Sequence, residues 1–115
     1  EKQTSIRFDA HKYALIDLHL HLDGSLSVDD MLCLGRMEGV ASADTDELNG
    51  QLSCPKTCKD LEQYLKCFNL PISVLQSPET ISYAVERLVC RLDRQGLVYA
   101  EIRFAPQQHL QKGLT

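Results

Sequence analysis

The sequence predicts an α/β fold built on a parallel strand–helix–strand crossover, and three observations predict it. An apolar run carrying two histidines, Tyr13 to Leu20 and on to His21, reads as a strand and is broken by Asp23-Gly24-Ser25. A long amphipathic stretch bounded by Ser77-Pro78 and Gly96 reads as a helix. A second apolar run, Leu97 to Ala105, follows at once and stops at Pro106. Strand, helices and strand in this order form a crossover, which is how parallel strands are joined.

Strict alternation along the first strand puts Ile16, Leu18 and Leu20 on one face and Asp17, His19 and His21 on the other. The first of three helices opens at Ser27, with Asp30 three residues later as a capping-box partner, and closes near Gly39. Ala41 to Leu52 is polar and reads as a loop, with Asp44, Asp46 and Glu47 as a solvated charge run. The second helix opens near Thr57, whose hydroxyl can cap it, and Leu61, Tyr64, Leu65 and Phe68 form one apolar stripe. The third lies between Ser77 and Gly96 and carries Ile81, Ala84, Val85, Leu88, Val89 and Leu92 on one wide face. Two strands cannot cover three such helices. Residues 1–115 are therefore expected to be an incomplete part of one domain, not a stable, active monomer alone.

Composition narrows the function classes. Hydrophobic residues make up 43% and charged residues 24%, as in an ordinary globular domain and not a disordered linker. A net charge of -4 gives no electrostatic reason to bind nucleic acid or a membrane surface. No apolar run is long enough to span a bilayer, and Glu1 to Ala10 is too polar for a signal peptide. Five cysteines leave one unpaired, which points to a reducing cytoplasm. Cys54 and Cys58 lack zinc-knuckle spacing and read as plain thiols.

The chemistry lies in His19-Leu20-His21, at the C-terminal end of the first strand. Histidines two apart on a strand share a side and can reach one metal ion. Such a pair also fits an exposed or otherwise satisfied strand. The polar face of Asp17, His19 and His21 on an apolar strand is costly to bury without a reason, which favours the metal. A catalytic zinc commonly has three protein ligands and a water, so further ligands must come from elsewhere. Glu101 and Arg103 read as a structural ion pair, and Asp17 as either a partner of a ligand histidine or part of such a pair. His11 and His109 read as solvated.

Asp17-Leu18-His19-Leu20-His21-Leu22-Asp23-Gly24-Ser25-Leu26 resembles the opening motif of the adenosine deaminases, within the amidohydrolase superfamily. Val98-Tyr99-Ala100-Glu101-Ile102-Arg103-Phe104-Ala105-Pro106 resembles that family's second barrel strand, at fitting spacing. The resemblance runs from about Tyr13 to Thr115 and implies the N-terminal part of a TIM-type (β/α)8 barrel. It implies zinc-dependent hydrolysis of adenosine or deoxyadenosine to inosine and ammonia, with His19 and His21 as two zinc ligands. Asp23 matches a residue that binds the ribose 5′-hydroxyl; relatives acting on free adenine tend to carry Glu there. Leu61, Tyr64, Leu65 and Phe68, an ordinary core stripe by periodicity, match a pocket lid. Phe104 and Ala105 match the pocket wall. The third zinc histidine, the zinc aspartate, the glutamate acid and a histidine near the attacking water match nothing here, so no catalytic residue is expected within this segment. The implied partners are a purine nucleoside and the remaining barrel. The competing readings are a deaminase of adenine or of a modified adenosine, and a catalytically incomplete purine- or metal-binding fragment or interaction module.

Overall fold

The computed structural model describes residues 9–40 and 44–115. Most of the N-terminal stretch read as too polar for a signal peptide (residues 1–8), and the start of the expected loop (residues 41–43), lie outside the described residues. Two strands, β1 (Leu15–His21) and β2 (Leu97–Arg103), pair in parallel. Between them come α1 (Val28–Met37), α2 (Thr45–Leu52), α3 (Leu61–Leu65), α4 (Asn69–Val74) and α5 (Pro78–Arg94). Short 3-10 turns occupy Ala10–Lys12, Lys66–Phe68 and Pro106–His109.

The local signals at α1 and α5 work as the residues suggest. The Ser27 hydroxyl accepts from the Asp30 N–H and the Asp30 carboxylate accepts from the Ser27 N–H, closing a capping box. Ser77 and Thr80 do the same for α5, with Pro78 in its first turn. Gly39 and Gly96 follow the two helices at φ 71° and 83°, where a side chain would be strained.

The expected loop contains a helix instead. α2 forms because Asp46 and Glu47 suit a helix N-terminus and Leu48 and Leu52, four apart, share its inner face. Leu48 is buried, and Leu52 packs against the main core. The expected second helix is also corrected. Its cap is Asp60, which accepts from the Gln63 N–H at 2.8 Å, and not Thr57. The segment is not one helix: it tightens into the 3-10 turn and resumes as α4.

The core lies between the strands and α1, α4 and α5. Leu22, Met31, Leu34, Val74, Leu75, Ala84, Leu88 and Leu92 are buried there, with Leu20, Leu97, Ala100 and Ile102 of the strands packed against them. Val85 and Val89 of the wide α5 face stay exposed.

The strict alternation expected of β1 does not hold. Asp17 pairs with Ala100 and Leu20 with Ile102, so β1 spends one extra residue between these pairs. A β-bulge of this kind shifts every later side chain to the other face. Leu15, Asp17 and Leu20 consequently share the half-buried helix side, and Ile16, Leu18, His19 and His21 are exposed on the other. β2 has a matching irregularity: Leu15 pairs with Leu97 but Ile16 with Tyr99. Leu97, Ala100 and Ile102 face the helices, leaving Tyr99, Glu101 and Arg103 on the open side. Of the two readings of Asp17, the structure shows no ion pair for it among the described residues, and its link to a histidine is to the His19 backbone and not to an imidazole. Its carboxylate accepts from the His19 N–H at 2.9 Å and secures the bulge.

Candidate active site

The bulge sets the site's geometry. It keeps His19 and His21 on the open face while Leu20, between them, packs into the core. The two imidazoles stack with centroids 5.2 Å apart, and their Nε2 atoms are 3.2 Å apart. Those nitrogens can share a proton as donor and acceptor, or direct two lone pairs at one ion.

After His21 the chain turns sharply. The Leu22 N–H donates to the Arg103 carbonyl at 2.8 Å, extending the pairing with β2, and the Leu22 side chain enters the core. This leaves Asp23 on the opposite side, 14% exposed, with its carboxylate 3.9 Å from His21 Nδ1 and accepting from the Gly24 N–H. The Ser25 hydroxyl donates back to the His21 carbonyl at 2.5 Å. Gly24 is small for a packing reason: a Cβ there would stand 2.8 Å from the edge of the Phe68 ring.

A groove of about 520 Å³ opens at this strand end. It brings together His21, Asp23, Tyr64, Leu65, Phe68, Phe104 and Ala105, seven of the nine residues singled out in the sequence. His19 stands beside it through its contact with His21. Leu61 does not line it and is 68% exposed on the outer side of α3. Tyr64 meets Phe68 edge-on, with centroids 5.5 Å apart. Tyr64 and Leu65 remain about half exposed, so this stripe is no ordinary core stripe within this chain.

Sequence reasoning missed Asn69, Ile72 and Gln108, which complete the groove together with Arg103, read from the sequence only as half of an ion pair. It also placed His109 in solvent, whereas this ring is buried. His109 Nδ1 donates to the Leu75 carbonyl at 2.7 Å, and its ring backs Phe104 edge-on. Beside it the buried Gln76 donates to the Ile72 and Gln108 carbonyls and accepts from the Gln111 N–H. The bonds from His109 to Leu75 and between Gln76 and Gln108 and Gln111 bridge 32 to 35 residues of sequence, so no local pattern announces them.

Arg103 reaches the Leu18 carbonyl at 3.0 Å and stands 3.7 Å from the Glu101 carboxylate, the pairing its position on the strand suggested. Glu101 also accepts from the Tyr99 hydroxyl, which holds that phenol above its ordinary pKa. Among the described residues no group of three or more His, Cys, Asp or Glu side chains could hold a metal ion. Among the same residues no helix is long and apolar enough to cross a membrane.

The adenosine deaminase family model matches residues 14–115. An adenosine deaminase of Haemophilus ducreyi is 50% identical over 106 residues, covering 90% of this chain and 31% of that protein. One from Clostridium perfringens is 42% identical over 102 residues, covering 87% of this chain and again 31% of its relative. The chain thus spans about 31% of the length of these relatives. The crystal structure of an adenine deaminase from Arthrobacter aurescens superposes with a TM-score of 0.74 at 25% identity, over 88% of this chain and 30% of that one. The two parallel strands and their helices are part of a TIM-type barrel, and the chain belongs to the adenosine deaminase family.

Proposed function

We propose that this segment forms the first metal-binding and substrate-binding wall of a zinc-dependent enzyme that hydrolyses adenosine or deoxyadenosine to inosine and ammonia. The observation that carries the reading is a pair of imidazole nitrogens 3.2 Å apart beside a groove that also holds the Asp23 carboxylate. Two nitrogens bound to one tetrahedral zinc at about 2.0–2.1 Å are separated by roughly 3.3 Å. The pair therefore suits a shared ion, held through both Nε2 atoms. When bound, zinc supplies the Lewis-acid activation that makes water an effective nucleophile near neutral pH.

The other residues bind and orient. Asp23, acceptor-only when ionised, takes a hydrogen bond from the ribose 5′-hydroxyl. Tyr64, Leu65 and Phe68 close over the base against Phe104 and Ala105 and exclude bulk water from the reacting carbon. Oxygen from water replaces the amino group at purine carbon 6, and ammonia leaves. The proton donor to the ring and the remaining metal ligands come from the rest of the barrel. Five reduced thiols suit a cytoplasmic enzyme.

Adenine is the second candidate substrate, because the superposing crystal structure is named an adenine deaminase. The nucleoside is favoured by Asp23 and by more similar relatives, 42% and 50% identical, that are named adenosine deaminases. The test uses the full-length protein that carries this segment. His19→Ala and His21→Ala should each abolish stoichiometric zinc. Asp23→Ala should retain zinc but lose roughly 10- to 150-fold in kcat/KM for adenosine, as for a charged hydrogen bond of about 1.5–3 kcal/mol. Full zinc content in both histidine variants, or a wild-type preference for adenine, sinks the reading.

A further inference from the structure

We propose that Arg91 of α5 is a positioning residue for the β1 elbow, acting through Ser25 on His21 and Asp23. This rests on the metal-binding, nucleoside-binding reading of that elbow. Arg91 lies on the helix side of the fold, away from the groove, yet it holds two acceptors on the elbow side at once. Nη1 donates to the Asp30 carboxylate at 2.7 Å and Nη2 to the Ser25 carbonyl at 2.6 Å. Ser25 then donates through its hydroxyl to the His21 carbonyl at 2.5 Å. Two bonded steps thus connect α5 to the backbone of a metal-binding histidine, with Asp23 inside the loop they close.

Asp30 gives this chain its stiffness. It is 1% exposed, bonded to the Ser27 N–H at the start of α1, and faced by Arg87 at 3.5 Å as well as by Arg91. Both ends of the elbow are thereby fixed. The His21 end is tied to Ser25, and the Ser27 end to Asp30. The guanidinium joins the two through a planar fork that lysine cannot reproduce, because an ammonium is a point donor without that fixed geometry. Groups that orient ligand histidines from outside the ligand set commonly change metal affinity 10- to 100-fold when altered.

The test compares Arg91→Lys and Ser25→Ala with wild type in the full-length protein. Zinc affinity is measured by chelator competition, steady-state kinetics with adenosine, and folding by thermal unfolding. Arg91→Lys should weaken zinc binding about 10-fold and lower kcat more than it raises KM, with cooperative unfolding retained. Ser25→Ala leaves the carbonyl bond to Arg91 in place and should shift zinc affinity in the same direction by less. It also supplies the answer if Arg91→Lys does not fold. Unchanged zinc affinity and kcat, in Arg91→Lys if it folds and otherwise in Ser25→Ala, overturns the proposal and leaves Arg91 a packing residue. A wild-type protein that binds no zinc and does not deaminate adenosine overturns the underlying reading instead, so the two failures are distinct.

Discussion

The α5 helix and the α3–α4 segment, both rich in apolar residues, use them in opposite ways. α5 runs unbroken for 17 residues and buries Ala84, Leu88 and Leu92 in the core. The α3–α4 segment breaks into a helix, a 3-10 turn and another helix, and leaves Tyr64 and Leu65 about half exposed at the groove. Apolar periodicity alone gives both the same reading. What separates them is what each stripe meets: α5 meets the strands and α1, whereas the α3 stripe meets open space above Asp23. α5 gives its stripe to the core, whereas the α3–α4 segment divides its apolar residues, with Val74 buried in the core and Tyr64 and Leu65 at the groove, where the proposed function places a ligand.

The largest effect that would break this comparison belongs to α5. Leu88 is 2% exposed within the main cluster. Leu88→Ala should cost about 2–5 kcal/mol of unfolding free energy through lost burial and a cavity. The KM of the molecules that remain folded should stay near wild type. Denaturant unfolding with parallel kinetics checks both, and a raised KM with unchanged stability would reverse the roles of the two regions.

A smaller effect is expected at Tyr64. Truncation to Ala removes an edge-on contact with Phe68, worth about 0.5–1.5 kcal/mol, and a half-exposed ring. The larger consequence should be for binding. Covering an aromatic side chain with a ligand is worth roughly 1.5–3 kcal/mol, so KM for adenosine should rise about tenfold or more. If Tyr64→Ala destabilised the protein as much as Leu88→Ala and left KM alone, the stripe would be core after all.

The same contrast explains what was legible in the sequence. The boundaries of α1 and α5 could be read directly, because a capping box and a terminal glycine act within a few residues. α2 was hidden behind its polar composition and Gly50, and its one apolar signal is the Leu48–Leu52 pair. The bulge in β1 could not be read at all. It is a property of pairing with β2, more than 80 residues away, and β1 carries leucines on both faces. The expected pairing of His19 and His21 on one face was legible all the same, because residues two apart share a face with or without the bulge. What alternation misassigned was the neighbours: Asp17 went to the helix side, and Leu18 to the side of the histidines. His109 was misread for the same reason, since its acceptor is the Leu75 carbonyl, 34 residues earlier.

The smallest expected effect sharpens the comparison through pH, because the α5 side has a buried carboxylate as its anchor. Burial alone would push the Asp30 carboxyl up. The Ser27 N–H, the hydrogen bond from Arg91 and the Arg91 charge outweigh that and hold it below the ordinary carboxylate value. A carboxylate whose folded pKa is depressed adds stability above its unfolded pKa, about 3.9, and loses it as pH falls through the folded value. The anchor of α5 should therefore weaken in acid, beginning near pH 4 and deepening below it. Asp30→Asn removes this titration and leaves Arg91 bonded to the Ser25 carbonyl. Its stability at pH 7 should be lower than that of wild type, but its decline between about pH 5 and 3 should be shallower. Unfolding free energies measured at several pH values for both proteins decide it. Parallel curves would mean that the Asp30 carboxylate gains nothing from its partners on folding. The α5 side would then owe its stability to Ala84, Leu88 and Leu92 alone, and the guanidinium bridge to the elbow would lose its electrostatic support.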